Sequence, residues 1–139
     1  MPKKSIDYQM YHVQREIIRY YNRHLLHQTQ LSYQHYLVLM VLSEEKKIPS
    51  LSLGERLAFQ SGTITPILKK MEKRGLIQRH RSETDERVVM VELTVEGEAI
   101  VEQLRHIPLD VFRASQLEFE EYKKLMYYSK KIVDNVTYE

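Results

Sequence analysis

Between residues 6 and 26 the larger apolar side chains fall at Ile6, Met10, Val13, Ile17, Tyr20 or Tyr21, and Leu25. Steps of three and four place side chains on one face of a helix. Arg15, Arg19 and Arg23 take the opposite side. A helix this long at a chain end has too little domain beneath it to bury the whole stripe, so a helix of a second subunit is its natural cover. Ser32 then has the side chain of an N-cap, and residues 33–42 are apolar nearly all round, which predicts a central buried helix. The polar run after Leu42 ends it. Ile48 suits a short edge strand before Pro49 and Ser50 open a helix over residues 51–59. There Leu53 and Leu57 share the inner face, and Gly54 permits close helix approach.

The pattern is sharpest over residues 60–93. Ile64, Ile67, Leu68 and Met71 follow the i, i+3, i+4, i+7 spacing of a core-facing stripe. Thr63, Thr65, Pro66, Lys69, Lys70 and Lys73 project elsewhere. Either Ser61 or Thr63 caps the start. With Thr63 as cap, Pro66 lies in the first turn, where its missing N–H costs little; with Ser61 it costs one hydrogen bond. Gly75 supplies a left-handed stop. Residues 76–81 and 88–93 read as strands around a polar tip, Ser82 to Arg87. Thr94 caps a further helix that either ends at about His106 or continues with a kink through Pro108 to Phe112. Ser115 and Glu118 have capping-box spacing and open a last helix to about Val136, with a stripe of Leu125, Tyr128, Ile132 and Val136. The order predicts a mainly α fold with a β wing: a winged helix-turn-helix over residues 31–94. Dimerisation helices in residues 1–30 and 95–139 complete a single domain of residues 1–139.

Composition agrees and narrows the function. The chain has 139 residues, 42% hydrophobic and 29% charged, an ordinary globular balance. Its four glycines and four prolines favour long helices over a many-turned β fold. No apolar run approaches a membrane span, and the first residues lack the apolar core of a signal peptide, which points to the cytoplasm. With no cysteine, thiolate metal sites and thiol chemistry are excluded. The six histidines are scattered, and no phosphate loop, nucleophile elbow or paired-carboxylate pattern occurs. No enzyme activity, metal or cofactor is expected. The net charge of +2 hides a segregation: over residues 55–81, Arg56, Lys69, Lys70, Lys73, Arg74, Arg79 and Arg81 face only Glu55 and Glu72, while residues 95–139 are net acidic. A basic centre is the footprint of a polyanion's partner.

Residues 51–97 resemble the MarR-type winged-helix regulators in three places together: Gly75-Leu76-Ile77, Asp85-x-Arg87 and Leu93-Thr94-x-x-Gly97. The likeness extends over nearly the whole chain. Ser61-Gly62-Thr63, Thr65-Pro66 and Lys69-Lys70-Met71-Glu72 are similar to the branch of organic-hydroperoxide-sensing repressors and staphylococcal-type global regulators. The resemblance implies a homodimeric repressor on a pseudo-palindromic operator, released by a small molecule or stress signal. That branch senses oxidants through a first-helix cysteine held by two tyrosines. Aligned on Arg15-Glu16, the tyrosine positions fall on Tyr11 and Tyr21, and the cysteine position falls on Asp7. The thiol chemistry therefore does not carry over, which leaves a non-cysteine signal or a constitutive binder.

Specific contacts follow. Short Ser61, Gly62 and Thr63 let a helix N-terminus approach phosphate or base edges of double-stranded DNA. Thr65 and Pro66 offer apolar surface to a thymine methyl, and Lys69 and Lys70 reach guanine edges or phosphates. On the blander reading the lysines only solubilise the helix, or dock an acidic protein partner. Asp85 and Arg87 make either an exposed ion pair worth ~0–1 kcal/mol, or, as the resemblance favours, a minor-groove contact in which Asp85 orients the turn. Arg79 and Arg81 suit phosphate, and Tyr33 the DNA backbone. Tyr11, Tyr21 and Tyr36 either pack or line a cleft for an aromatic or phenolic effector. Asp7 is either a solvated helix-start acid or a buried, up-shifted pH sensor.

Overall fold

Leu39, Val38 and Leu42 are fully buried, and the helix that carries them organises the larger of two compact units. The computed structural model of the chain describes residues 4–60 and 62–137, apart from the side chains of residues 25, 26 and 28. Ser61 and the Leu25 end of the first stripe thus lie outside the described residues. The described chain divides at Arg105 into units Met1–Arg105 and His106–Glu139.

In the first unit, α1 (Ile6–Thr29) is followed by α2 (Tyr33–Glu45), β1 (Lys47–Pro49), α3 (Ser50–Arg56) and α4 (Ile64–Lys73). Then come β2 (Ile77–Arg81), β3 (Val89–Leu93) and α5 (Val95–Leu104). The expected cap of α2 is present in reciprocal form. The Ser32 hydroxyl accepts the His35 N–H at 3.2 Å, and His35 Nδ1 accepts the Ser32 N–H at 3.0 Å. Histidine here does the work of the usual Glu or Gln. The sheet is antiparallel in the order β1-β3-β2, with Ile48 and Arg79 flanking Val91. The edge strand expected at Ile48 is therefore real. Leu31, Leu53, Leu68, Met71, Ile77, Val91 and Val101 close the core with α2.

Two helices end earlier or start later than expected. α3 stops at Arg56 because Ala58 turns left-handed at φ 55°. Its N–H bonds to Glu55 O and that of Phe59 to Gly54 O, which satisfies the last carbonyls of the helix. The same pattern, with Gly75 at φ 78°, ends α4 as predicted. In the second unit, α6 (Ile107–Ser115) is a separate helix with Pro108 in its first turn, not a kinked continuation; proline supplies no N–H to carry the ladder across. The capping box expected at Ser115 is misplaced. Ser115 ends α6, its hydroxyl donates back to Phe112 O at 2.5 Å, and Gln116 turns left-handed. Glu118 and Glu121 form the box instead, and α7 runs Phe119–Val136.

Candidate nucleic-acid interface

The spacing of α4 sorts its side chains as expected. Ile67, Leu68 and Met71 are buried, Ile64 and Thr63 are half-buried, and Thr65, Pro66, Lys69, Lys70 and Lys73 are exposed. Thr63 is the N-cap, so Pro66 falls in the first turn, but the Thr63 hydroxyl makes no capping bond. Preceding Gly62 sits at φ 87°, in the left-handed region that suits glycine. The Thr63 hydroxyl thus leaves the first N–H groups of the helix to other acceptors, such as an anion.

Behind α4 the wing is fastened by a carboxylate that the sequence reading did not single out. Glu72 Oε1 accepts from Arg79 Nη2 at 3.0 Å and Nε at 3.3 Å, and its Oε2 accepts the Arg79 backbone N–H at 3.2 Å. The hydrogen bonds from the Arg79 side chain hold the Glu72 carboxyl below the usual carboxylate range. Arg79, one of the expected phosphate contacts, is therefore drawn toward α4. A groove of about 330 Å³ between the helix and the wing is lined by Glu72, Arg79, His80, Arg81 and Val89. Arg81 donates to Glu86 O at 2.9 Å, across the base of the tip.

At the tip, Asp85 Oδ1 accepts both the backbone N–H of Arg87 at 3.0 Å and its Nε at 3.2 Å. Arg87 Nη2 reaches Oδ2 at 3.3 Å, and these bonds, side chain first, hold the Asp85 carboxyl low. The Arg87 side chain is nonetheless 90% exposed. Asp85 aims the arginine without hiding it. Where the wing returns to α5, Thr94 ties two turns together with three hydrogen bonds. Its hydroxyl donates to Gly75 O at 2.6 Å and accepts the Gly97 N–H at 3.0 Å. The Thr94 N–H bonds to Leu76 O at 3.1 Å.

The candidate effector residues divide. Tyr21 and Tyr36 are buried and their rings lie 4.8 Å apart, with Tyr33 5.0 Å from Tyr21 and 5.9 Å from Tyr36. Burial pushes the Tyr33 and Tyr36 hydroxyls above their ordinary value. Tyr11 is 62% exposed and stands ten residues from Tyr21 on α1, about 15 Å along the axis. Asp7 is exposed in the first turn, its pKa lowered by a hydrogen bond from Ser5 and then by the Tyr8 N–H. In the single chain it stands as a solvated helix-start acid. Among Tyr33, Lys69, Lys70 and Arg74, the first stands by the start of α2, the others along α4. Arg74 was also missed as a candidate: its fork reaches back to Gln30 O and Thr29 O at 3.2 and 2.9 Å.

Residues 20–104 match the profile of the transcriptional regulators SarA/Rot. The chain belongs to that family. The match takes in α2 to α5 whole, with the last turns of α1. Similar proteins include the HTH-type transcriptional regulator MgrA of Staphylococcus aureus, 36% identical over 88% of this chain and 84% of that protein. The organic hydroperoxide resistance transcriptional regulator of Bacillus subtilis is 38% identical over 88% of this chain and 83% of its own. Among solved structures, a MarR variant from E. coli complexed with operator DNA superposes with a TM-score of 0.82 at 25% identity, covering 90% of this chain and 91% of that one. The SarA/Rot chain thus has the MarR-type winged helix.

Proposed function

We propose that this SarA/Rot regulator is a cytoplasmic homodimeric repressor that reads a pseudo-palindromic duplex with α4 and its wing. The observation that carries the reading is α4 itself: a helix whose apolar side is buried while Thr65, Pro66, Lys69 and Lys70 stand exposed, followed by a wing whose tip carries an exposed, carboxylate-aimed Arg87. Ser61, Gly62 and Thr63 bring its N-terminus to the major groove. Lys69 and Lys70 meet base edges or phosphates, Arg81, Arg79 and Tyr33 the backbone, and Arg87 the minor groove. In a dimer, two such helices enter successive major grooves about 34–36 Å apart. The exposed apolar side chains of α1 and α7 await a second subunit's cover, which supports a division into residues 1–30 and 95–139 for dimerisation and 31–94 for DNA. Release follows from any signal that changes the spacing of the two lobes. It is not a thiol signal, since the sequence has no cysteine. An aromatic or phenolic effector at the Tyr21–Tyr36 cluster fits the chemistry of that corner.

Selection from random duplexes, followed by a salt titration on the recovered operator, tests the reading. Neutralising some 6–10 phosphates predicts a loss of about 10³–10⁵ in affinity between 50 and 200 mM salt. Lys69→Ala is expected to weaken binding, and Arg87→Ala to act mainly at A·T-rich flanks. An affinity that stays flat with salt, or shows no preference over random duplex, sinks the proposal in favour of an acidic protein partner.

A further inference from the structure

The last residue of α1 and the C-cap of α4 meet through a single side chain. Arg74 is the C-cap of α4, its own N–H bonded to Lys70 O at 3.1 Å, one position before the left-handed Gly75. From there its guanidinium donates from Nη2 to Thr29 O at 2.9 Å and from Nη1 to Gln30 O at 3.2 Å. Thr29 closes α1, and Gln30 turns left-handed at φ 59°. The last carbonyls of a helix lack intrahelical donors and carry the negative end of its dipole. A planar cation that takes the last of them together with the carbonyl of the following Gln30 suits both needs, and lysine cannot reproduce the fork. Leu31, fully buried, pins the other side of the corner.

We propose that Arg74 is a positioning residue that fixes the angle between α1 and α4, and so sets the operator half-site spacing that the dimer accepts. This rests on the DNA-binding reading above. With α1 in the dimer layer and α4 in the groove, the separation of the two reading helices depends on that angle. α1 has 24 residues and is about 36 Å long. A tilt of about 5° at its end moves the lobe by roughly 3 Å, close to one base-pair step.

The test compares wild type, Arg74→Ala and Arg74→Lys on three kinds of duplex: an isolated half-site, the selected operator, and operators with one or two base pairs added to or removed from the centre. The variants are expected to keep half-site affinity within about twofold. They lose at least about fivefold on the operator, the lower end of ordinary coupling between sites, and accept altered spacings that the wild type rejects. The slope of log affinity against log salt stays at the wild-type value. Equal losses on half-site and operator, or a slope reduced by about 1 as for a lost phosphate contact, overturn the proposal by making Arg74 part of the lobe or a DNA contact. So does an unchanged spacing preference. Should Arg74→Ala melt, Arg74→Lys, which keeps the charge, decides alone. Wild-type protein with no specific duplex binding would refute the DNA reading itself, an outcome separate from these.

Discussion

Gly97 has a backbone oxygen where any other residue has a side chain: a Cβ there would lie 2.1 Å from Leu76 O. The approach is this close because Thr94 draws the first turn of α5 onto the turn between α4 and β2, through Gly75 O on one side and the Gly97 N–H on the other. The clash is with backbone, so no rotamer relieves it. Gly97→Ala is expected to lower the urea midpoint by the equivalent of about 1–3 kcal/mol, the ordinary range for overpacking. Thr94→Ala loses a cap, about 1 kcal/mol, whereas Thr94→Ser keeps the hydroxyl and most of the stability. An unchanged midpoint in Gly97→Ala would mean that α5 slides away without cost, contrary to the knot described. The motif Leu93-Thr94-x-x-Gly97 was visible in the chain, but its reason was not. The reason is a carbonyl about twenty residues upstream, which only the fold brings into place.

The cap of α2 makes an element respond to pH. His35 Nδ1 can accept the Ser32 N–H only while it carries no proton. The ring is buried; burial first, then the positive charges of Lys70 and Arg74, hold its pKa below the ordinary histidine value. Ser32 is the other polar group at the ring. Because the folded pKa is the lower one, the unfolded chain binds more protons in the interval between the two. The stabilisation is therefore complete above the unfolded value of about 6.5 and declines as pH falls toward and through the folded one. The urea midpoint is expected to fall between pH 7 and 5, and His35→Gln, which retains a capping-box side chain, to remove that part of the slope. An identical slope in the variant would refute the assignment. Asp7, Glu72 and Asp85, all held low, act at more acidic pH. The start of α2 at Ser32 and the stop of α4 at Gly75 were legible because one residue's own chemistry decides each. The last helix's start was not, since Ser115 has the right side chain but turns it backward onto Phe112. Nor could local pattern reveal Glu72 on Arg79 or Arg74 on α1, which join groups through turns whose angle no periodicity encodes.

At the scale of the molecule, the described helices leave much apolar surface uncovered. Ile6, Met10 and Val13 on α1 are exposed, and so are Phe119, Leu125, Met126, Tyr128, Val133 and Val136 on α7. Surfaces of this kind mark partner interfaces. Val13→Glu and Leu125→Glu are each expected to shift elution at micromolar concentration from dimer to monomer and to weaken operator binding, with the thermal transition of the winged-helix unit retained. Monomeric wild-type protein would remove the basis for the dimer. The small sheet is the one part that resists such association. Its β1 edge is three residues long and ends in Pro49, which has no N–H to offer. At the β2 edge, the backbone N–H of Arg79 is already occupied by Glu72, and charged Arg79 and Arg81 stand along the strand. Both borders are thus poor templates for another strand to join. Stacking of the wings into fibres is thereby disfavoured, even when the protein is crowded at high local concentration.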